Sequence, residues 1–412
     1  MRTKCFLVLA LFSLLTVNTY AQTDVAKAFV FAQKQTVLML KEVDSVKADA
    51  ANAALASPRT LEADGKFVMV PSKDWCSGFF PGELWFLYEY TQNDKWKDLA
   101  KKFTTNIEVE KTNGNTHDMG FKVYNSVGNG YRLTHDDHYK AVIIEGAKTL
   151  STRFNPVIGS IKSWDNRKQW KFPVIIDNML NLELLFEATR LTGDSSFYKI
   201  AVTHANTAMK NHFRADYSSY HVIDYDPETG KILHKQTHQG FADESAWARG
   251  QAWGLYGYTM CYRETHNKAY LQQAENIAKF IFSNPNLPAD LVPYWDYNDT
   301  AIPNAPRDAS AAAIAASALY ELSTYSANAK DYRSKADKIV KVLSEKYQAK
   351  TGGSKGFLLL HSTGHKPNNS EIDAPIIYAD YYYLEALLRK QRLFKDEPVV
   401  SLNSINTDKG KK

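Results

Sequence analysis

Residues 173–193 read PVIIDNMLNLELLFEATRLTG, and the fold turns on how this stretch divides. Pro173 and the β-branched Val174, Ile175 and Ile176 are poor helix interior. Asp177 follows at the point where a helix would start, a position from which a carboxylate accepts free backbone N–H groups. From Met179 onward, Leu180, Leu182, Leu184, Leu185, Phe186, Ala188 and Leu191 make a helix that is apolar nearly all round. A helix without a wet face is buried on both sides. An acid therefore stands at the mouth of a buried helix. On its own that is a plain N-cap; the arrangement matters because it recurs.

Five other stretches read as apolar helices: 74–92, 117–133, 244–263, 307–322 and 373–390. They carry Asp74, Asp118, Glu244, Asp308 and Asp373 at or near their starts. Stretches of the other kind alternate with them, at 22–47, 94–110, 135–153, 195–212, 267–283 and 328–347. These place apolar residues at helical spacing on one face only, as Trp96, Leu99, Ala100 and Phe103 do. Residues 54–74 and 154–172 read as irregular. HVIDYDPETG, 221–230, carries Asp-Pro and Thr-Gly turn signals and reads as a loop or hairpin.

About twelve helices in strict alternation of two types predict an all-α fold, an (α/α)6 barrel of six helical hairpins. Apolar helices line the inside of the ring and amphipathic ones cover it. Parallel inner helices share one end for their N-termini. That end collects Asp74, Asp118, Asp177, Glu244, Arg249, Asp308 and Asp373, and should form a pocket. An open α-solenoid is the competing architecture, with the same residues spread along a surface.

Composition narrows the function. Residues 1–21 combine Arg2 and Lys4, an apolar run from Phe6 to Leu15 and a Thr-Tyr-Ala end, the pattern of a secretory leader. Residues 22–400 then form a single barrel domain and 401–412 a polar tail. The expected location is the periplasm, after export across the inner membrane. No later run has the length of a membrane span. A formal charge of +5, scattered along the chain, excludes a nucleic-acid partner. Cys5 falls in the leader, and Cys76 and Cys261 lie in aromatic, buried-type segments that favour free core thiols. The 8 Trp, 24 Tyr and 20 Phe suit a sugar-binding cleft as well as a large core.

Two carboxylates at one rim, Asp118 and Asp177, can divide acid and base roles. Proximity raises the pKa of one, while a helix N-terminus lowers it. Gln239 and Arg249 suit carboxylate or hydroxyl recognition, and Trp253 follows Arg249 by one helical turn. No metal-ligand spacing, GxSxG or glycine-rich phosphate loop is present, so neither metal nor organic cofactor is expected.

Seven ordered motifs, DWCSGFFPGELWFLYE (74–89), HDMGF (117–121), VIIDNMLNLELLF (174–186), HVIDYDPETG (221–230), THQGFADESAWARGQAWGLYG (237–257), RDASAAAIAAS (307–317) and IDAPIIYADYYYLEALLR (372–389), resemble glycoside hydrolase family 88. These are the unsaturated glucuronyl hydrolases, and the resemblance spans nearly the whole chain after the leader. It implies an (α/α)6 barrel and a hydrolase acting on oligosaccharides left by polysaccharide lyases, glycosaminoglycan disaccharides above all. The unsaturated uronic acid at the non-reducing end is released by hydration of its vinyl ether double bond. Asp177 matches the general acid and base, and Asp118 the second essential aspartate. His117, His221, Gln239, Arg249 and Trp253 match residues at the sugar subsite, and Trp164 matches a stacking tryptophan. Ser362, His365 and Lys366, in the loop 358–371, are candidates to meet a sulfate. Two alternatives stand beside this reading: an unsaturated rhamnogalacturonyl hydrolase acting on pectin fragments, and a non-catalytic periplasmic oligosaccharide-binding protein.

Overall fold

The computed structural model describes residues 3–165 and 168–401, with side chains from Asp24 onward. The stretch 1–21 read as a leader lies outside the described side chains, and 402–412 lie outside the described residues. No described helix is long and apolar enough to cross a membrane.

Six helices form the inner wall. They are α2 (Phe79–Thr91), α4 (a π-helical Gly120–Gly128 continued by Asn129–Thr134), α6 (Asn178–Thr192), α8 (Ala248–Thr265), α10 (Ala309–Leu322) and α12 (Ile377–Phe394). Each packs on the next and α12 returns to α2, so the ring is closed and the open solenoid is excluded. The outer layer is α1 (Thr3–Lys47), α3 (Asp94–Thr105), α5 (Asp137–Ser151), α7 (Ser195–Asn211), α9 (Lys268–Ser283) and α11 (Ala329–Val342). The two types differ in burial as their sequences differ in pattern. Every residue of α10 is buried, whereas α3 buries only Trp96, Ala100, Phe103 and Thr104. At about 2 kcal/mol for each buried Leu-sized side chain, the inner wall supplies most of the driving force for closure. Cys76 and Cys261 are free thiols buried in the core, as the sequence suggested.

The all-α reading missed short strands, all near one end of the ring. Residues 54–74 hold an antiparallel hairpin, β1 (Leu55–Leu61) with β2 (Phe67–Pro71). The apolar β-branched run FVMV was its signal. Within 154–172, β3 (Phe154–Asn155) pairs with β4 (Ser160–Ile161). β5 (Phe172–Ile175) pairs with β6 (Val222–Tyr225), which turns back as β7 (Ile232–Gln236). The β6–β7 turn is the hairpin foreseen at 221–230.

Candidate active site

β5 delivers Asp177. Ile175 lies opposite Val222, and the Ile176 N–H donates to the His221 carbonyl at 3.1 Å. This pairing sets His221 beside the start of α6. Asp177 occupies the expected position, but its carboxylate does not cap the helix. The reason is backbone geometry. A capping side chain needs an extended residue, and Asp177 is already helical at φ −55°, ψ −27°. The side chain is thereby turned away from the free N–H groups. It is 7% exposed, and Oδ2 is buried without a hydrogen-bond partner.

That environment decides the proton. Burial is the largest influence and pushes the Asp177 pKa up to about 7. The Arg249 charge, the residue's own backbone N–H and the Trp253 indole pull it down; the Asp118 charge pushes it up. The helix N-terminus does not win, because the carboxyl does not reach it. His221 lies close, its Nε2 3.6 Å from Asp177 Oδ2. Burial first, then the nearby His238, His365 and Arg249, hold His221 well below the usual histidine range, so the ring is neutral. Its Nδ1 accepts from the backbone N–H groups of His238 and Gln239, each at 3.1 Å. The ring proton therefore sits on Nε2, facing the acid.

Asp118 lies two residues before α4 and is held by a hydrogen bond to Oδ2, with His117 close to the other oxygen. The Thr116 hydroxyl donates to Oδ2 at 2.6 Å and accepts the Asp118 N–H at 3.1 Å. His117 Nε2 stands 3.2 Å from Oδ1. His117 is fully buried, and burial lowers its pKa. The π-helical first turn of α4 is anchored to α6 through Asn181, whose Oδ1 accepts the Phe121 N–H at 3.0 Å.

Both acids line one cavity of about 160 Å³ at this end of the barrel. Of the residues singled out in the sequence, His117, Trp164, Gln239 and His365 share its walls. Trp164 stacks on Trp170 with ring centroids 5.4 Å apart and meets His238 edge-on at 5.2 Å. Gln239 Nε2 donates to the Gly364 carbonyl at 3.2 Å.

Others stand behind the wall. Arg249 is 1% exposed and binds Asp308 at 2.9 Å and the carbonyls of Thr363 and Gly364 at 2.6 and 2.5 Å. It pins the loop 358–371 and acts on the site through its charge. Trp253 is fully buried between Phe121 and Tyr382. Ser362 and Lys366 are not among the described residues lining this cavity. Ser362 is buried with its backbone paired to Ala374, and Lys366 Nζ lies 3.3 Å from Asp299 and 4.9 Å from the Trp295 ring centroid. Of the helix-mouth charges, Glu244 and Asp373 point outward, to Arg214 and His361.

Sequence reading missed Arg59, Trp75, Glu371 and Tyr378, all cavity-lining. Arg59 is clamped by Asp74 at 2.8 Å and by Glu371 at 2.6 and 3.0 Å. Its strand β1 lay in the stretch read as irregular, and Glu371 is 312 positions away in sequence. No local pattern links such a pair.

This geometry is an acid kept neutral near pH 7 in a cavity it shares with a second carboxylate. It can give a proton to a substrate atom and take one from water. Among the described residues no cluster of His, Cys, Asp or Glu could hold a metal ion.

Comparison with known proteins agrees. The profile of Glycosyl Hydrolase Family 88 matches residues 51–386. An unsaturated glucuronyl hydrolase from Formosa agariphila is 55% identical over 340 residues, 82% of this chain and 85% of that one. An unsaturated chondroitin disaccharide hydrolase from Streptococcus pneumoniae is 33% identical, covering 81% of this chain and 85% of its own. The crystal structure of an unsaturated glucuronyl hydrolase specific for heparin superposes with a TM-score of 0.83 at 45% identity, over 90% of this chain and 98% of that one. The chain belongs to glycosyl hydrolase family 88 and is a glycoside hydrolase built on an (α/α)6 barrel.

Proposed function

We propose that this enzyme is an unsaturated glucuronyl hydrolase. It removes the 4,5-unsaturated uronic acid from the non-reducing end of lyase-generated glycosaminoglycan oligosaccharides. The observation that carries the reading is Asp177: buried, its pKa pushed up to about 7, and open to a cavity shared with Asp118.

Asp177 gives its proton to the alkene carbon C4. The positive charge that develops at C5 is shared with the ring oxygen of the vinyl ether. Water adds at C5 and returns a proton to Asp177, now a carboxylate. The resulting hemiketal opens, and the link to the next sugar is lost. One water is consumed and no redox change occurs. While Asp177 is ionised, the buried Arg249 charge and the neutral His221 Nε2–H stabilise it. Asp118, oriented by Thr116 and His117, positions the sugar and keeps the affinity of Asp177 for its proton high. Trp164 offers a flat face for the pyranose ring. The leader read at residues 1–21 supports a periplasmic site of action, where lyase products would arrive.

A panel of unsaturated disaccharides, sulfated and unsulfated, tests this. Turnover removes the ultraviolet absorbance of the conjugated double bond. In deuterium oxide, the former alkene carbon of the product carries deuterium. Absorbance that persists on every glycosaminoglycan disaccharide but falls on pectin fragments would move the substrate to the rhamnogalacturonan class. Binding without turnover of any member would remove the enzyme reading.

A further inference from the structure

Asn181 sits on α6 one helical turn after Asp177 and is fully buried. Its side chain reaches across to the other acid's helix. Oδ1 accepts the N–H of Phe121, three residues after Asp118. That N–H belongs to the first turn of α4, where no carbonyl of the same helix is available. The backbones meet at the same point. A Cβ on Gly120 would fall 2.5 Å from Asn181 Cα and 3.1 Å from the Leu180 carbonyl oxygen, so only glycine fits. The other half of the amide is unused: Nδ2 is buried without a hydrogen-bond partner. An apolar residue would spare the fold that orphan donor, at the loss of the bond to Phe121. A buried amide rooted one turn after Asp177 and bonded to the first turn of the Asp118 helix ties the supports of the two acids together.

We propose that Asn181 is a positioning residue for the reaction described above: with Gly120 it fixes the spacing between Asp118 and Asp177. The inference rests on that reaction being the enzyme's own. Asp177 responds to this spacing because the Asp118 charge is one of the influences that keep it protonated. The other groups around Asp177 come from different elements. His221 faces it from the start of β6 and Arg249 from α8, with His117 beside Asp118. Arg59 and Glu371 lie on one wall of the cavity, and His238 and His365 also line it. Asn181 touches the spacing of the two aspartates and leaves these in place.

The test compares full-length wild type with Asn181→Leu and Gly120→Ala, measuring kcat and KM for an unsaturated disaccharide from pH 5 to 9 together with melting temperature. Asn181→Leu removes the acceptor; Gly120→Ala keeps the amide but places a Cβ 2.5 Å from Asn181 Cα and 2.8 Å from its Oδ1, forcing the two helices apart. The expected result for each is a kcat lower by about tenfold or more, with KM changed by less than about threefold. The alkaline limb of the kcat profile moves to lower pH, because the Asp118 charge is no longer held at the distance that raises Asp177. Lower melting temperature with kcat and the alkaline limb unchanged would overturn the proposal and leave Asn181 a packing residue. If either variant does not fold, Asn181→Ser, which loses the reach without adding bulk, is measured with the same two outcomes. A wild-type enzyme that leaves the double bond intact would sink the proposed function instead, which keeps the two failures apart.

Discussion

The two ends of the barrel treat buried acids in opposite ways. At the far end the charges are saturated. Arg263 pairs with Glu183, Glu264 and Glu321, Arg389 with Glu321 and Glu385, and Arg132 and Arg392 share Glu89. At the cavity end Asp177 has a buried oxygen with no hydrogen-bond donor and the His221 Nε2 still 3.6 Å away. Glu183 sharpens the contrast. Its pKa is also pushed up to about 7, by burial above all, although Arg263 pulls it down. A raised pKa therefore does not mark the working acid. Glu183 too has neighbouring carboxylates and shares a cavity with Glu385, but its charge is paired to Arg263. What separates Asp177 is the missing partner and a cavity lined by Trp164 and Gln239.

The largest effect expected from breaking this comparison is at Asp177. Asp177→Asn should lower kcat by about a thousandfold or more, with the fold intact by circular dichroism. Arg263→Met should do the converse. Removing one member of a buried network leaves uncompensated acids and costs about 3–5 kcal/mol, read as a drop in melting temperature, while kcat per folded molecule stays near wild type.

The pH dependence follows with its sign. The proton donor is the neutral form of Asp177, so kcat should fall as pH rises through about 7. Stability moves the same way. The folded state holds a proton that the unfolded state loses near the ordinary value of 3.8, so stability is full below that value and declines until about pH 7. Asp177→Asn removes this term and should melt higher than wild type at pH 8, by up to about 4 kcal/mol in stability. The smallest effect is expected at Glu183. Glu183→Gln should leave kcat within about threefold of wild type, since its raised pKa serves no chemistry.

Much of the fold was legible because the two helix types differ all along the chain. The alanine-rich α10, buried on every side, and the one-faced α3 could not be confused. The ring and the shared end for Asp118 and Asp177 followed from that alternation. The capping role read for Asp177 did not hold. Pattern gives a residue's position along a helix but not its backbone angles, and those decide where a carboxylate points. The strands were missed because each is short and outnumbered by helix. The Arg59–Glu371 clamp was invisible because nothing local ties a strand near the start of the chain to a loop near its end. Arg249 shows a subtler limit. Its residue type suited a sugar contact, and the structure gives its donors to Asp308 and two carbonyls instead.

The central claim is that Asp177 remains a neutral carboxylic acid at the pH where the enzyme works. The infrared difference spectrum between wild type and Asp177→Asn at pH 6 tests it directly. A protonated-carboxyl C=O band present in wild type, absent from the variant and fading as pH is raised past 7 is the predicted result. A difference spectrum showing only ionised carboxylate at pH 6 would contradict it.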